Sequence, residues 1–146
     1  MATAARGAAS FFIALGLGVT AVAQPARPDL VVLELRATAA GVRIGRCNAF
    51  EVMVRNVGVA TAAPTRLRLT VSRPGSLPAV DSKTVPLAEL GPGQQRTLAI
   101  GGVFVPEPGA WRIEALADAA QGLAESNEGN NARVLDVATV PALCGS

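Results

Sequence analysis

The chain has 146 residues, thirteen basic against eleven acidic, a net charge of +2 and no histidine. Half of it is apolar, yet aromatics make up only 3%, with one Trp and no Tyr. Without an imidazole base, Ser-His-Asp and Cys-His catalysis are excluded, and no basic stripe interleaved with aromatics points to nucleic acid. The core must be built from Val, Leu, Ile and Ala, each Val or Leu contributing roughly 1.5–3 kcal/mol when fully buried.

Residues 1–23 read as a cleaved signal peptide. Arg6 is the only charge, an apolar run spans Ala8 to Val22, and Ala21-Val22-Ala23 has the small-x-small pattern of signal peptidase sites. The run falls short of the ~20 residues a spanning helix needs, so no membrane span is expected after cleavage. The expected location is exported, either periplasmic or extracellular. Residues 24–28, "QPARP", form a proline-restricted lead-in.

From residue 29 onward, short apolar segments alternate with Gly, Pro and Asn signals. Val31, Leu33 and Leu35 alternate with Val32, Glu34 and Arg36, predicting a strand with one buried face. Phe50, Val52 and Val54 alternate with Glu51, Met53 and Arg55, and Leu67, Leu69 and Val71 with Arg66, Arg68 and Thr70. A weaker segment around Val80 to Val85 supplies another strand. Leu98, Ile100 and Phe104 share one parity across a Gly101-Gly102 that can bend or bulge the strand. Trp111, Ile113, Ala115 and Ala117 face away from Arg112, Glu114 and Asp118, and Leu135 and Val137 alternate with Asp136. Turn signals at 56–58, 73–76, 90–93 and 106–109 separate these segments.

Short strands with Gly/Pro turns predict an all-β fold, an Ig-like or fibronectin-III-like sandwich of about seven antiparallel strands over residues 29–140. Residues 141–146 form a C-terminal tail. Two cysteines in an exported chain read most simply as one disulfide, Cys47–Cys144. The parity of Cys47 is that of Glu51 and Met53, and it is expected at the very start of its strand. The bond would then clip the tail to one end of the sandwich and stop the last strand fraying.

Five landmarks in order resemble the CARDB family, the cell adhesion related domain of bacteria. They are "PDLVV" at 28–32, "VRNVG" at 54–58, "LGPG" at 90–93, "PGAWRIEALAD" at 108–118 and "ESNEGNN" at 125–131, and the last is the most specific. Trp111 stands where the family commonly has Tyr, and the two cysteines are additions to its core pattern. The resemblance implies an Ig-like module of exported proteins, for which adhesion is the inferred role.

The segment from Asp118 to Asn131 admits two readings. Asn and Gly favour turns, and Asn130 and Asn131 can cap peptide groups that a wide turn leaves unpaired. Alternatively, Asp118, Glu125, Asn127 and Glu128 offer hard oxygen ligands for a weak calcium site, although EF-hand spacing is missing. A catalytic pair of Glu125 and Glu128 would need an aromatic-lined sugar cleft that this composition does not supply. Ser72, Ser76 and Ser126 have no partner base. Arg66, Arg68, Arg43 and Arg112 can make a positive face, which as a plain solvated face would pair with Glu114 across strands.

The expected function is therefore a non-catalytic, exported binding or adhesion-like module recognising a protein or cell-envelope component. The alternative is a structural accessory domain carrying a weak calcium site at 118–131. No other cofactor and no nucleic acid are expected, and open sheet edges permit a monomer or a weak dimer.

Overall fold

The computed structural model describes residues 24–145, so the expected signal peptide lies outside the described residues. Seven strands follow one another: β1 (Leu30–Ala37), β2 (Val42–Asn56), β3 (Thr65–Ser72), β4 (Asp81–Leu87), β5 (Gln95–Val105), β6 (Ala110–Ala117) and β7 (Ala132–Leu143). β2 pairs with β1 on one side and β5 on the other, while β3 lies between β4 and β6, and β6 pairs with β7. These pairings are antiparallel. A short parallel pairing of Val42 with Thr139 and Ile44 with Leu143 joins the two groups along one edge. The result is the expected all-β, Ig-like architecture, with three strands facing four.

Alternation explains the core where the ladders are regular. Phe50, Val52 and Val54 of β2 face Leu67, Leu69 and Val71 of β3 and Trp111, Ile113, Ala115 and Ala117 of β6 within one buried cluster. Trp111 and Phe50 are its largest fully buried side chains. Small alanines at 115 and 117 leave room beside them, as close packing of unequal side chains requires.

Two expectations of parity are corrected, both by bulges. In β1 the register shifts between Val32 and Glu34, so Leu30 and Val32 are buried before the shift and Leu35 after it. Val31 and Leu33 are not on the fully buried face. An extra residue in one strand reverses every side chain beyond it. In β5, Phe50 pairs with Ile100 but Asn48 pairs with Val103. Gly102, at φ +67, takes the left-handed conformation this bulge needs. Val103 and Val105 thereby enter the core, and Phe104 turns outward under the guanidinium of Arg46, 4.6 Å from its ring centre.

Cys47 also differs from expectation. β2 begins at Val42, which places Cys47 within the strand rather than at its start, inside an irregular stretch between Gly45 and Asn48. Its disulfide to Cys144 is formed, with Cα atoms 5.4 Å apart. β7 runs on to Leu143, so the bond ties the end of the last strand to β2. The Cys144 N–H adds a hydrogen bond to the Ile44 carbonyl at 2.8 Å. Asn48 fills the irregular stretch: its amide donates to the carbonyls of Arg43, Gly45 and Val103 and its oxygen accepts from the Arg43 N–H.

Replacing both cysteines by alanine should cost about 2–4 kcal/mol, because the bond closes a long loop. Urea unfolding of the oxidised wild type and the variant measures this. Hydrogen exchange should show amides of Thr139–Leu143 losing protection first, and equal protection along β7 would refute a clipping role.

Candidate functional site

Seven strand ends lie at one end of the sandwich: the starts of β1, β3, β5 and β7 and the ends of β2, β4 and β6. Edge polar groups there have no ladder partners, so side chains must supply them. Asn56, fully buried, is the centre. Its oxygen accepts from the N–H groups of Asp29 (3.1 Å) and Gly58 (3.0 Å), and its amide donates to the carbonyls of Ala60 (2.8 Å) and Leu90 (3.0 Å). Its main chain exchanges bonds with Gly93 and Gln94. At Gly58 a Cβ would lie 2.5 Å from the Arg27 carbonyl oxygen, so the close approach of the lead-in needs glycine there.

The loop from Asp118 to Asn131 docks against this centre. Asp118 was expected on the outward parity of β6, but it is 1% exposed and has φ 49. Leaving the strand with a left-handed residue turns its carboxylate inward. There it accepts from the Thr65 hydroxyl (2.7 Å) and from the N–H groups of Gly122 (3.1 Å) and Leu123 (3.0 Å). Glu125, 4% exposed, reaches across 95 residues to accept from the Leu30 N–H at 2.9 Å, and its other oxygen accepts from the Asn131 amide. Glu128 accepts from the Glu125 N–H at 3.0 Å.

Asn127 is exposed and closes a local turn by accepting from the Gly129 N–H. Asn130 donates to the Asp29 carboxylate at 2.8 Å, and the Ser126 N–H bonds the Pro28 carbonyl. Turn chemistry operates here, but the expected caps are corrected: Asn130 and Asn131 donate to the carboxylates of Asp29 and Glu125, and the peptide N–H groups are capped by Asp118, Asn127 and Glu128 within the loop and by Glu125 at Leu30. Sequence reasoning did not single out Asn56, Thr65 or Asp29 as partners. The only signal for Asn56 was the "VRNVG" landmark itself.

Three of the four candidate ligand residues converge. One carboxylate oxygen from each of Asp118, Glu125 and Glu128 lies within 4.8 Å of the others, and Asn127 keeps its oxygen for its own turn. Burial pushes the Glu125 carboxyl above its ordinary 4.5, against the hydrogen bonds from Asn131 and Leu30, and the charges of Glu128 and Asp118 add to the rise. The side-chain oxygens of Asn130 and Asn131 are buried with no hydrogen-bond partner. A carboxylate so committed to internal donors is poorly placed to act as an acid or a nucleophile.

The opposite end is held by Trp111. Its indole N–H donates to the Glu107 carbonyl at 3.0 Å, the partner a tryptophan needs once buried. The Arg73 guanidinium covers the ring at 3.9 Å, donates to the Ala110 and Pro108 carbonyls and pairs with the Glu107 carboxylate at 2.7 Å.

A family model for CARDB matches residues 27–134, the span that contains all five landmarks. The chain belongs to the CARDB family. Among solved structures, it is similar to a CARDB domain of a Pyrococcus furiosus protein described as in complex with di-metal ions, at 28% identity and a TM-score of 0.60. That match covers 79% of this chain and 96% of that one. A solution structure of the same domain aligns with a TM-score of 0.61 at 27% identity, over 79% of this chain and 97% of that one. A domain from Methanosarcina acetivorans shares the fold at 21% identity and a TM-score of 0.57, over 81% and 96% of the two chains. No curated protein matches the chain. CARDB is a cell-adhesion-related, non-enzymatic domain family. Among the described residues no helix is long and apolar enough to cross a membrane.

In the metal-free protein, the raised pKa of Glu125 sets a pH dependence. The native state then holds more protons than the unfolded chain above about pH 4.5, so stability should fall as pH rises through the native pKa. Glu125→Gln should flatten that slope in urea melts at a series of pH values. Glu125→Ala should cost about 1–3 kcal/mol at every pH by leaving the Leu30 N–H buried and unpaired. Parallel pH profiles for wild type and Glu125→Gln would contradict the assignment.

Proposed function

We propose that this chain is an exported, non-catalytic binding module that recognises a protein or cell-envelope partner through its exposed sheet faces. The observation that carries the reading is membership of a cell-adhesion-related family over residues 27–134. The geometry supports it. Asn56, Asp118, Glu125 and Asn131 of the polar landmarks are buried and hydrogen-bond within the scaffold, which leaves the faces of the sandwich for recognition. Open edges on β1, β4 and β5 allow a weak dimer, although Lys83 and Pro86 on β4 discourage edge pairing.

The test is co-sedimentation of the labelled full chain with cell-envelope fractions of the organism that makes it. Saturable binding, competed by unlabelled chain, is expected. Recovery no greater than that of an unrelated Ig-like domain would end this reading.

A second reading has its own support. Asp118, Glu125 and Glu128 bring like charges together, and the unpartnered Asn131 oxygen belongs to a residue already in contact with Glu125. Hard oxygen donors of this kind suit calcium, and the Pyrococcus furiosus domain is described with di-metal ions. The residues fit a weak cation site that would neutralise the cluster and stiffen the loop. Excess calcium, compared with EDTA, should raise the melting temperature by several degrees, since a ligand that binds the folded state stabilises it. Glu128→Gln keeps an acceptor for the Glu125 N–H and should remove most of that shift. No shift in the wild type would leave the loop as a hydrogen-bonded cap.

A further inference from the structure

The outward residues of β3 and β6, with the β3–β4 connection, line a cleft of ≈ 470 Å³ on the four-stranded sheet. Its cations are not equivalent. Arg112 is held by Asp136 through bonds of 2.9 and 3.2 Å, and Arg73 is spent on Glu107 and Trp111. Arg68 forms none of the ion pairs found among the described residues, and its Nε is buried without a hydrogen-bond partner. The charge of Arg68 is thus left without a counter-ion among the described residues, and a ligand carboxylate meeting its terminal nitrogens would form a charge-assisted pair.

The cleft is lined by Arg68 together with the hydroxyls of Thr70, Ser72 and Ser76 and the carboxylate of Glu114. β3 and β6 are paired on both sides, so the strands that floor the cleft present side chains and no open edge. A peptide lying here would find no strand to extend. A hydroxylated sugar would find both donors and an acceptor among the side chains. Glu114 also disfavours a ligand of dense negative charge, and favours one carboxylate set among hydroxyls.

From this we propose that the cleft binds a uronate residue of an acidic polysaccharide, Arg68 taking the carboxylate and Glu114 accepting from a ring hydroxyl. The proposal rests on the binding-module reading and names its site and ligand class.

The test is calorimetric titration of the full chain with oligogalacturonate, with the same oligosaccharide reduced to its neutral alcohol, and with oligoglutamate of matched charge. Oligogalacturonate should bind, and Arg68→Gln should weaken it about tenfold or more. Arg66→Gln, on the same face but outside the cleft, should change it far less. Loss of binding on carboxyl reduction supports the assignment. Preference for oligoglutamate, equal weakening by Arg66→Gln, or no binding of oligogalacturonate overturns it. Envelope co-sedimentation separates the two ideas: binding retained in full by Arg68→Gln sinks the cleft and leaves the module reading standing, whereas no wild-type sedimentation sinks the latter.

Discussion

Everything at one end of this sandwich depends on the burial of Asn56. A fully buried primary amide is tolerable only if both donors and both lone pairs are used, and here all four are. Those bonds fix the lead-in before β1, the turn after β2 and the Leu90 turn before β5 relative to one another. Glu125 then attaches the β6–β7 loop to the same place through the Leu30 N–H. Four landmarks scattered from residue 28 to residue 131 are thus one hydrogen-bonded structure. Each buried bond is worth only about 1 kcal/mol net, but leaving its partner unmet costs more. The motif therefore acts more as a requirement on the fold than as a source of stability.

The other end is secured by different means. Few aromatics are available; Trp111 is the largest fully buried side chain, and Arg73 covers its face while bridging to the loop that precedes β6. The disulfide and the Cys144–Ile44 hydrogen bond hold β7 against β2 where the pairing turns parallel and short. A core of small aliphatics gains less per residue, and this chain compensates at its ends with covalent and polar ties.

Legibility in the sequence followed the regularity of the ladders. β3 and β6 keep unbroken registers, and their alternation reads correctly from Leu67 to Val71 and from Trp111 to Ala117. β1 and β5 carry bulges, and a single parity cannot hold across either: in β1 it fails at Val31 and Leu33 and holds at Leu35, and in β5 it holds at Ile100 and fails at Phe104. Gly101-Gly102 signalled a disturbance without saying which side chains it would invert. The acidic loop was recognisable as a unit, and Asp118, Glu125 and Glu128 do converge. The loop's distant partners were not legible, because Thr65 for Asp118, Leu30 for Glu125 and Asp29 for Asn130 lie 53 to 101 residues away and no local spacing encodes such contacts.

Structural capping and cation binding need not exclude each other in that loop. A carboxylate oxygen has two lone pairs, and an internal N–H uses one of them. Asp118 and Glu125 can therefore hold the loop shut while still presenting charge to a common point. Without a cation the cluster bears the repulsion, which adds to burial in raising the Glu125 carboxyl above its ordinary range. With one, the same atoms would keep their internal donors and lose that repulsion. The energetic gain would be limited to what the loop still has to order, and the backbone here is already pinned at Ala117, Ala119 and Ser126. A preformed, partly satisfied site of this kind predicts weak affinity and little change of shape on binding.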